Sequence, residues 1–195
     1  MMRYFVGIFL TIGLIILLIV LLLPHGGGDG GVASPKAKVP ITSKALIAYA
    51  DTDTVTRLTI DGPVNAPQGH KQAVITVGKD QTTFDQVQGY DNSVTNHQTY
   101  PNTQSSYSAF LHALAHAGYT KGDTKPEDQD ERGYCPLGNR YIFELIKNGD
   151  DVERFWSTSC GKPKTYQGNS SLTLQLFKAQ VPDYDKQSTT LGLSF

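Results

Sequence analysis

Cysteine is almost missing from this chain: its 195 residues hold two, Cys135 and Cys160. With no CxxC pair, a thiolate zinc site is excluded. An excess of either charge is lacking too. Seventeen Lys and Arg against eighteen Asp and Glu leave a net charge of −1. That balance gives no electrostatic footprint for nucleic acid or for an anionic membrane surface. G-x-S-x-G, Walker A, the dinucleotide fingerprint and HExxH are all absent, so the hydrolase, nucleotide and zincin signatures are missing with them. No internal repeat is visible, and nothing implies a cofactor or a resident metal.

What the chain does have, first of all, is an apolar run. From Tyr4 to Leu23 there is no charged side chain, and only Gly7, Thr11 and Gly13 dilute the Leu, Ile, Val and Phe. Twenty helical residues at 1.5 Å each span about 30 Å, the hydrocarbon thickness of a bilayer. The run is too long for a cleaved signal and stops at Pro24, so an uncleaved transmembrane helix over 4–23 is expected. Arg3 and the amine flank it on one side, whereas no Lys or Arg occurs on the other until Lys36. By the positive-inside rule residues 1–3 are cytoplasmic and the remainder is extracytoplasmic, in a single-pass cell-membrane protein. No Cys follows the run, which argues against a lipid-anchored mature form. Residues 24–44, with the GGGDGG run and then Pro35 and Pro40, read as a Gly/Pro linker that holds the 45–195 domain off the membrane.

Within that domain, TVTRLTID (54–61) and KQAVITV (71–77) read as strands. TTFDQVQGY (82–90) reads as a helical turn or a short strand, and 91–104 as polar and irregular. A helix is expected over 106–117, capped by Ser105 or Ser106 and stopped at Gly118. Tyr107, Phe110, Leu111 and Leu114 form its apolar stripe, and His112 and His116 lie off it. KGDTKPEDQDER (121–132) reads as a solvated loop. Asn148-Gly149 between RYIFELIK and DVERFWST is a strong hairpin signal, because both turn positions need positive φ. A regular two-residue turn sets Leu145 opposite Val152, Phe143 opposite Arg154 and Tyr141 opposite Trp156, all on the face that packs on the helix. Ile142, Glu144 and Ile146 then share the other face with Phe155, Glu153 and Asp151. Residues 170–180 lean to a short helix capped by Asn169 or Ser170, with a final edge strand over 190–195. The sum is an α+β domain: an antiparallel sheet of four to five strands packed on one or two helices.

The hairpin brings Cys135 near Cys160, within reach of a disulfide on the oxidising side of a membrane. Closing a loop of about 24 residues stabilises by roughly 3 kcal/mol on the chain-entropy estimate. His112 and His116 have the H-x-x-x-H spacing of a metal pair, but Ala113 stands where a zinc peptidase needs Glu, and nothing fixes His70 or His97 nearby. They read as surface side chains with a candidate binding role. The acidic run Glu127–Glu131 and the pairs Asp51/Asp53 and Asp183/Asp185 lack the ligand order of a calcium loop.

Two partial resemblances attach to the cysteines. Trp156-Ser157-Thr158-Ser159-Cys160 resembles the sortase pattern T-L-x-T-C at the end of a strand, in a β-rich chain with one N-terminal anchor. That resemblance implies Cys160 as nucleophile and His97 or His116 as acid. The chain departs from it at Trp156 and Ser157, and no Arg follows Cys160 to bind an oxyanion. Cys135-Pro136-Leu137-Gly138 resembles the disulfide-held reactive loop of subtilisin-inhibitor-type proteins, which implies that Leu137 enters a protease pocket. The leading expectation is instead a non-enzymatic, membrane-tethered binding or envelope-associated module, with a protein or envelope ligand outside the membrane.

Overall fold

Alternating side chains build the centre of the fold. In the computed structural model, which describes residues 45–189, β1 (Thr54–Asp61) buries Thr54, Thr56, Leu58 and Ile60 and leaves the intervening residues half-buried. β2 (Lys71–Val77), β3 (Gln81–Gln88) and β4 (Ser93–Pro101) follow as a meander, each antiparallel to the last. The chain then crosses one face of the sheet as helix α1 (Gln104–Ala117) and returns beside β1 as β5 (Arg140–Lys147), with β6 (Asp150–Thr158) outermost. The six strands run in the order β4-β3-β2-β1-β5-β6. Helices α2 (Ser170–Lys178) and α3 (Tyr184–Thr189) complete an α+β fold. A 3-10 turn, Leu46–Tyr49, precedes β1. The anchor over 4–23, the linker over 24–44 and the strand expected over 190–195 lie outside the described residues. Among the described residues no helix is long and apolar enough to cross a membrane.

The described residues form six strands, where four or five were expected, and three helices, where one or two were. The strand missed altogether is β4. As an edge strand it is exposed on almost every residue, so no buried face imposes a period of two on its sequence. β3 is a full strand whose Thr82, Phe84 and Gln86 are buried.

Helix α1 starts two residues earlier than expected, because Thr103 is the cap: its Oγ1 accepts from the Ser106 backbone N–H at 3.2 Å. Gly118 ends the helix at φ 77°, where a side chain would be strained. Tyr107, Phe110, Leu111, Leu114 and Ala117 are buried as the stripe requires. Tyr107 also donates from its hydroxyl to the Thr54 carbonyl at 2.7 Å. Asn169 caps α2 by accepting from Leu172 N–H at 3.0 Å. Phe177 of α2 meets Phe110 of α1 edge-on at 5.2 Å, over a core of Leu58, Ile75, Phe84 and Phe143. α3 is tied over β3 and β4, where the Gln86 amide donates to the Gln187 carbonyl at 2.9 Å.

The β5–β6 hairpin forms at Asn148-Gly149 with φ of 53° and 84°, as the turn demands. Its register differs from the regular one beyond the first two pairs. A bulge between Leu145 and Ile146 leaves Val152 as the extra residue, so Glu144 faces Arg154 and Phe143 faces Phe155. Phe155 therefore joins the core, while Arg154 and Trp156 turn to the opposite face.

Candidate functional site

The helices cover one face of the sheet. On the other face the strands' second set of side chains lines an open groove of about 530 Å3. β1 supplies Arg57, Thr59 and Asp61, and β2 and β3 supply Gln72, Val74 and Asp85. Ile142 and Glu144 of β5 and Arg154 of β6 form the far side. The loop after α1 walls that side. The Trp156 indole N–H donates to the Asp128 carbonyl at 2.8 Å, and Tyr134 stacks on the Trp156 ring with centroids 5.2 Å apart. Arg154 donates to the Gln129 carbonyl at 2.7 Å and to Glu131 at 2.6 Å. The stretch read as a solvated loop is thus pinned to the sheet, although Asp128 and Asp130 remain exposed.

Charges alternate across the groove floor because the register sets Arg57, Glu144 and Arg154 side by side on neighbouring strands. Arg57 Nε donates to Glu144 Oε2 at 2.7 Å, and Arg154 Nε lies 3.7 Å from Glu144 Oε1. The Glu144 side chain is 8% exposed, so its charge is held between two guanidinium groups and not by water. Burial alone would lower the pKa of Arg57, but the hydrogen bond and charge of Glu144, with Asp151 adding, raise it. A second pair closes the neighbouring row. Arg140 holds Asp61 through Nε at 2.7 Å and Nη2 at 2.6 Å, and Nη2 also donates to the Gly62 carbonyl at 3.1 Å. The buried His70 ring stands 2.9 Å from Asp61 through Nε2. His97 hydrogen-bonds Asp85 at the β3–β4 side.

The residues singled out in the sequence lie elsewhere. His112 and His116 are exposed on α1, across the sheet from the groove and apart from His70 and His97. Among the described residues no three His, Cys, Asp or Glu side chains cluster as metal ligands. Cys135 and Cys160 are joined in a disulfide with Cα atoms 5.8 Å apart, and among the described residues no cysteine is free. The sulfur that a sortase-like reaction requires as a thiolate is engaged in this form. Beside the disulfide, Gly138 N–H donates to the Cys135 carbonyl at 3.1 Å and closes a tight turn. Val64 N–H donates to the Pro136 carbonyl at 2.8 Å, which ties that turn to the β1–β2 loop. Gly138 has no room for a side chain: a Cβ there would sit 2.4 Å from Ser159 Oγ and 2.6 Å from Cys135 Sγ. Leu137 projects from this braced turn with 89% of its surface exposed.

Sequence reasoning named none of the groove residues as a site. One signal was there: Arg57 and Glu144 are charges of opposite sign in the interiors of their strands, whose other charges, Asp61, Arg140 and Lys147, stand at the ends. Compared with known proteins, the chain matches no family model and no curated protein.

Proposed function

We propose that this chain is a single-pass, membrane-tethered binding module. Its 45–195 domain is extracytoplasmic, and its ligand is a protein or other envelope component that docks in the open groove of the sheet. The observation that carries this reading is the groove itself, a polar concavity on the face that no helix among the described residues covers, with aliphatic floor residues Val74 and Ile142 between its charged groups. The apolar run at 4–23 and the charge of Arg3 support the tether and its orientation. A disulfide supports residence on the oxidising side. Three of the groove's acids, Glu144, Asp61 and Glu131, are held by arginines, as suits recognition more than proton transfer.

Topology and binding are tested separately. In intact cells expressing the full chain, mild reduction followed by a membrane-impermeant thiol reagent should label Cys135 and Cys160; labelling only after lysis would reverse the orientation. For binding, the full chain in detergent is passed over an immobilised envelope fraction of the source cells. Val74→Trp, which fills the groove centre, should abolish retention while far-ultraviolet circular dichroism and the cooperative thermal melt stay native. Retention unaffected by Val74→Trp would remove the groove from the reading. A second contact is favoured by Leu137, an apolar side chain held out on a turn that folding has already made rigid.

A further inference from the structure

Three arginines face the groove side of the sheet, and they are not used alike. Arg140 is committed to Asp61 and the Gly62 carbonyl, and Arg154 to Glu131 and the Gln129 carbonyl. Arg57 donates only through Nε, to Glu144. Among the described residues, no hydrogen-bond partner meets its Nη1 and Nη2 groups. The side chain is 37% exposed, so its stem is packed into the sheet while its end is open to the groove it lines. Next to it stand hydroxyls in the same condition. Thr76 is the register partner of Arg57 on β2, and Thr83 is the partner of Thr76 on β3. Among the described residues, no hydrogen-bond partner meets the hydroxyl of Thr59, Thr76 or Thr83.

We infer that the groove is a carboxylate-binding site in which the open edge of the Arg57 guanidinium receives the ligand's carboxylate and the hydroxyls of Thr59 and Thr76 bond its neighbouring polar atoms. This rests on the groove being the binding surface proposed above. A guanidinium presents two parallel N–H groups at the spacing of the two carboxylate oxygens, which a lysine ammonium does not reproduce. Charge selects further. Glu144, Asp61, Asp85 and Glu131 line the same groove; Glu144, Asp61 and Glu131 are each paired with an arginine, and Asp85 hydrogen-bonds His97. A monoanion meets an N–H edge that Glu144 leaves open, whereas a phosphate dianion brings a second charge close to four carboxylates. Glu144 also fixes the position of the Arg57 side chain, so less rotamer freedom is lost on binding.

A carboxylate of this kind could arrive as the C-terminus of a peptide or as a uronic acid, and the probes separate these. The full-length 15N-labelled chain in micelles is titrated with N-acetyl-alanyl-alanine, with glucuronate, with the neutral amide of the dipeptide and with inorganic phosphate. The Nε–Hε resonances of the arginines and the backbone amide of Thr76 are followed. At least one carboxylate should shift Arg57 and Thr76 in a saturable way and leave Arg132, which is exposed and paired with Asp130, in place. The neutral amide and phosphate should bind at least tenfold more weakly. Arg57→Lys keeps the charge and should weaken carboxylate binding tenfold or more, read at Thr76. No saturable shift from either carboxylate, equal binding of phosphate, or an unchanged affinity in Arg57→Lys would overturn the inference. Should the carboxylates fail while envelope retention still depends on Val74, the groove remains the binding surface and only its assignment to carboxylates falls. Should both fail, the groove reading falls with it.

Discussion

Alkali should unfold this domain in one cooperative step, driven by tyrosines that cannot ionise in place. Tyr107, Tyr119, Tyr166 and Tyr184 are each no more than 4% exposed. Burial raises the pKa of all four; the Glu144 charge adds to it at Tyr119 and the Asp185 charge at Tyr184, while the Thr173 hydrogen bond offsets part of it at Tyr166. With folded values above the unfolded value near 10, the stability they contribute is complete below about pH 10 and is lost as the pH climbs past it. Above that point the unfolded chain releases four protons that the folded chain keeps. Well above pH 10 each costs about 1.4 kcal/mol per pH unit; between pH 10 and 11, where the unfolded phenols go from half to nine-tenths ionised, stability should fall by up to about 4 kcal/mol. That approaches the lower end of the whole stability of many domains, about 5 to 15 kcal/mol, and the loss grows with each further pH unit. Lys178, whose pKa burial lowers, works in the opposite sense, but it is one group against four. The assay is phenolate absorbance with far-ultraviolet circular dichroism across pH 9 to 12, read within minutes of each pH jump. Phenolate from Tyr107, Tyr119, Tyr166 and Tyr184 should appear together with loss of ellipticity. Tyr107→Phe should lower the pH slope of stability by about 1.4 kcal/mol per unit, whatever it does to stability at neutral pH. All ten tyrosines titrating smoothly near pH 10 with native circular dichroism would refute the argument.

Two further outcomes follow from packing and covalent connection. Gly122 bridges to Tyr166, and a Cβ placed on it would lie 2.1 Å from the Phe155 ring, so Gly122→Ala should cost about 1 to 3 kcal/mol in thermal melts; an unchanged melting temperature would mean that Phe155 has room to move. Replacing Cys135 and Cys160 together by Ser opens a loop of sequence separation 25 and should cost about 3 kcal/mol, roughly 6 to 12 °C in melting temperature, whereas equal melting with and without the disulfide would show that the chain entropy is restricted by other contacts.

Where one principle acted alone, the sequence was readable. The α1 stripe, the glycine stop at Gly118 and the Asn148-Gly149 turn are local devices, and each stands as expected. The disulfide followed from two cysteines and one hairpin. Competition between scales was not readable. β4 carries polar side chains on both faces because it is an edge, and without a buried face it looks like a loop. The 121–132 stretch is hydrophilic, yet its backbone carbonyls at Asp128 and Gln129 are the partners that Trp156 and Arg154 need. Composition cannot show that a loop is held by its main chain. The groove was hidden for a related reason: Arg57 and Glu144 look like ordinary outward charges until the β1–β5 pairing brings them together.

The bulge at Val152 explains why this face carries a site at all. In the regular hairpin register Glu144 would stand directly opposite Glu153, and Arg154 would point at Phe143 on the core side. Like charges opposed across a strand pair are destabilising, and a guanidinium in that core would need partners that helix α1 does not offer. One extra residue removes both faults: Glu144 gains Arg154, and Phe155 enters the core against Phe143. Arg154 is then taken up by Glu131 and Glu144 together, so Glu144 draws only one hydrogen bond from Arg57. The open end of Arg57 is therefore a consequence of how the hairpin resolves its own charge conflict, and the proposed binding surface and the core register share one cause.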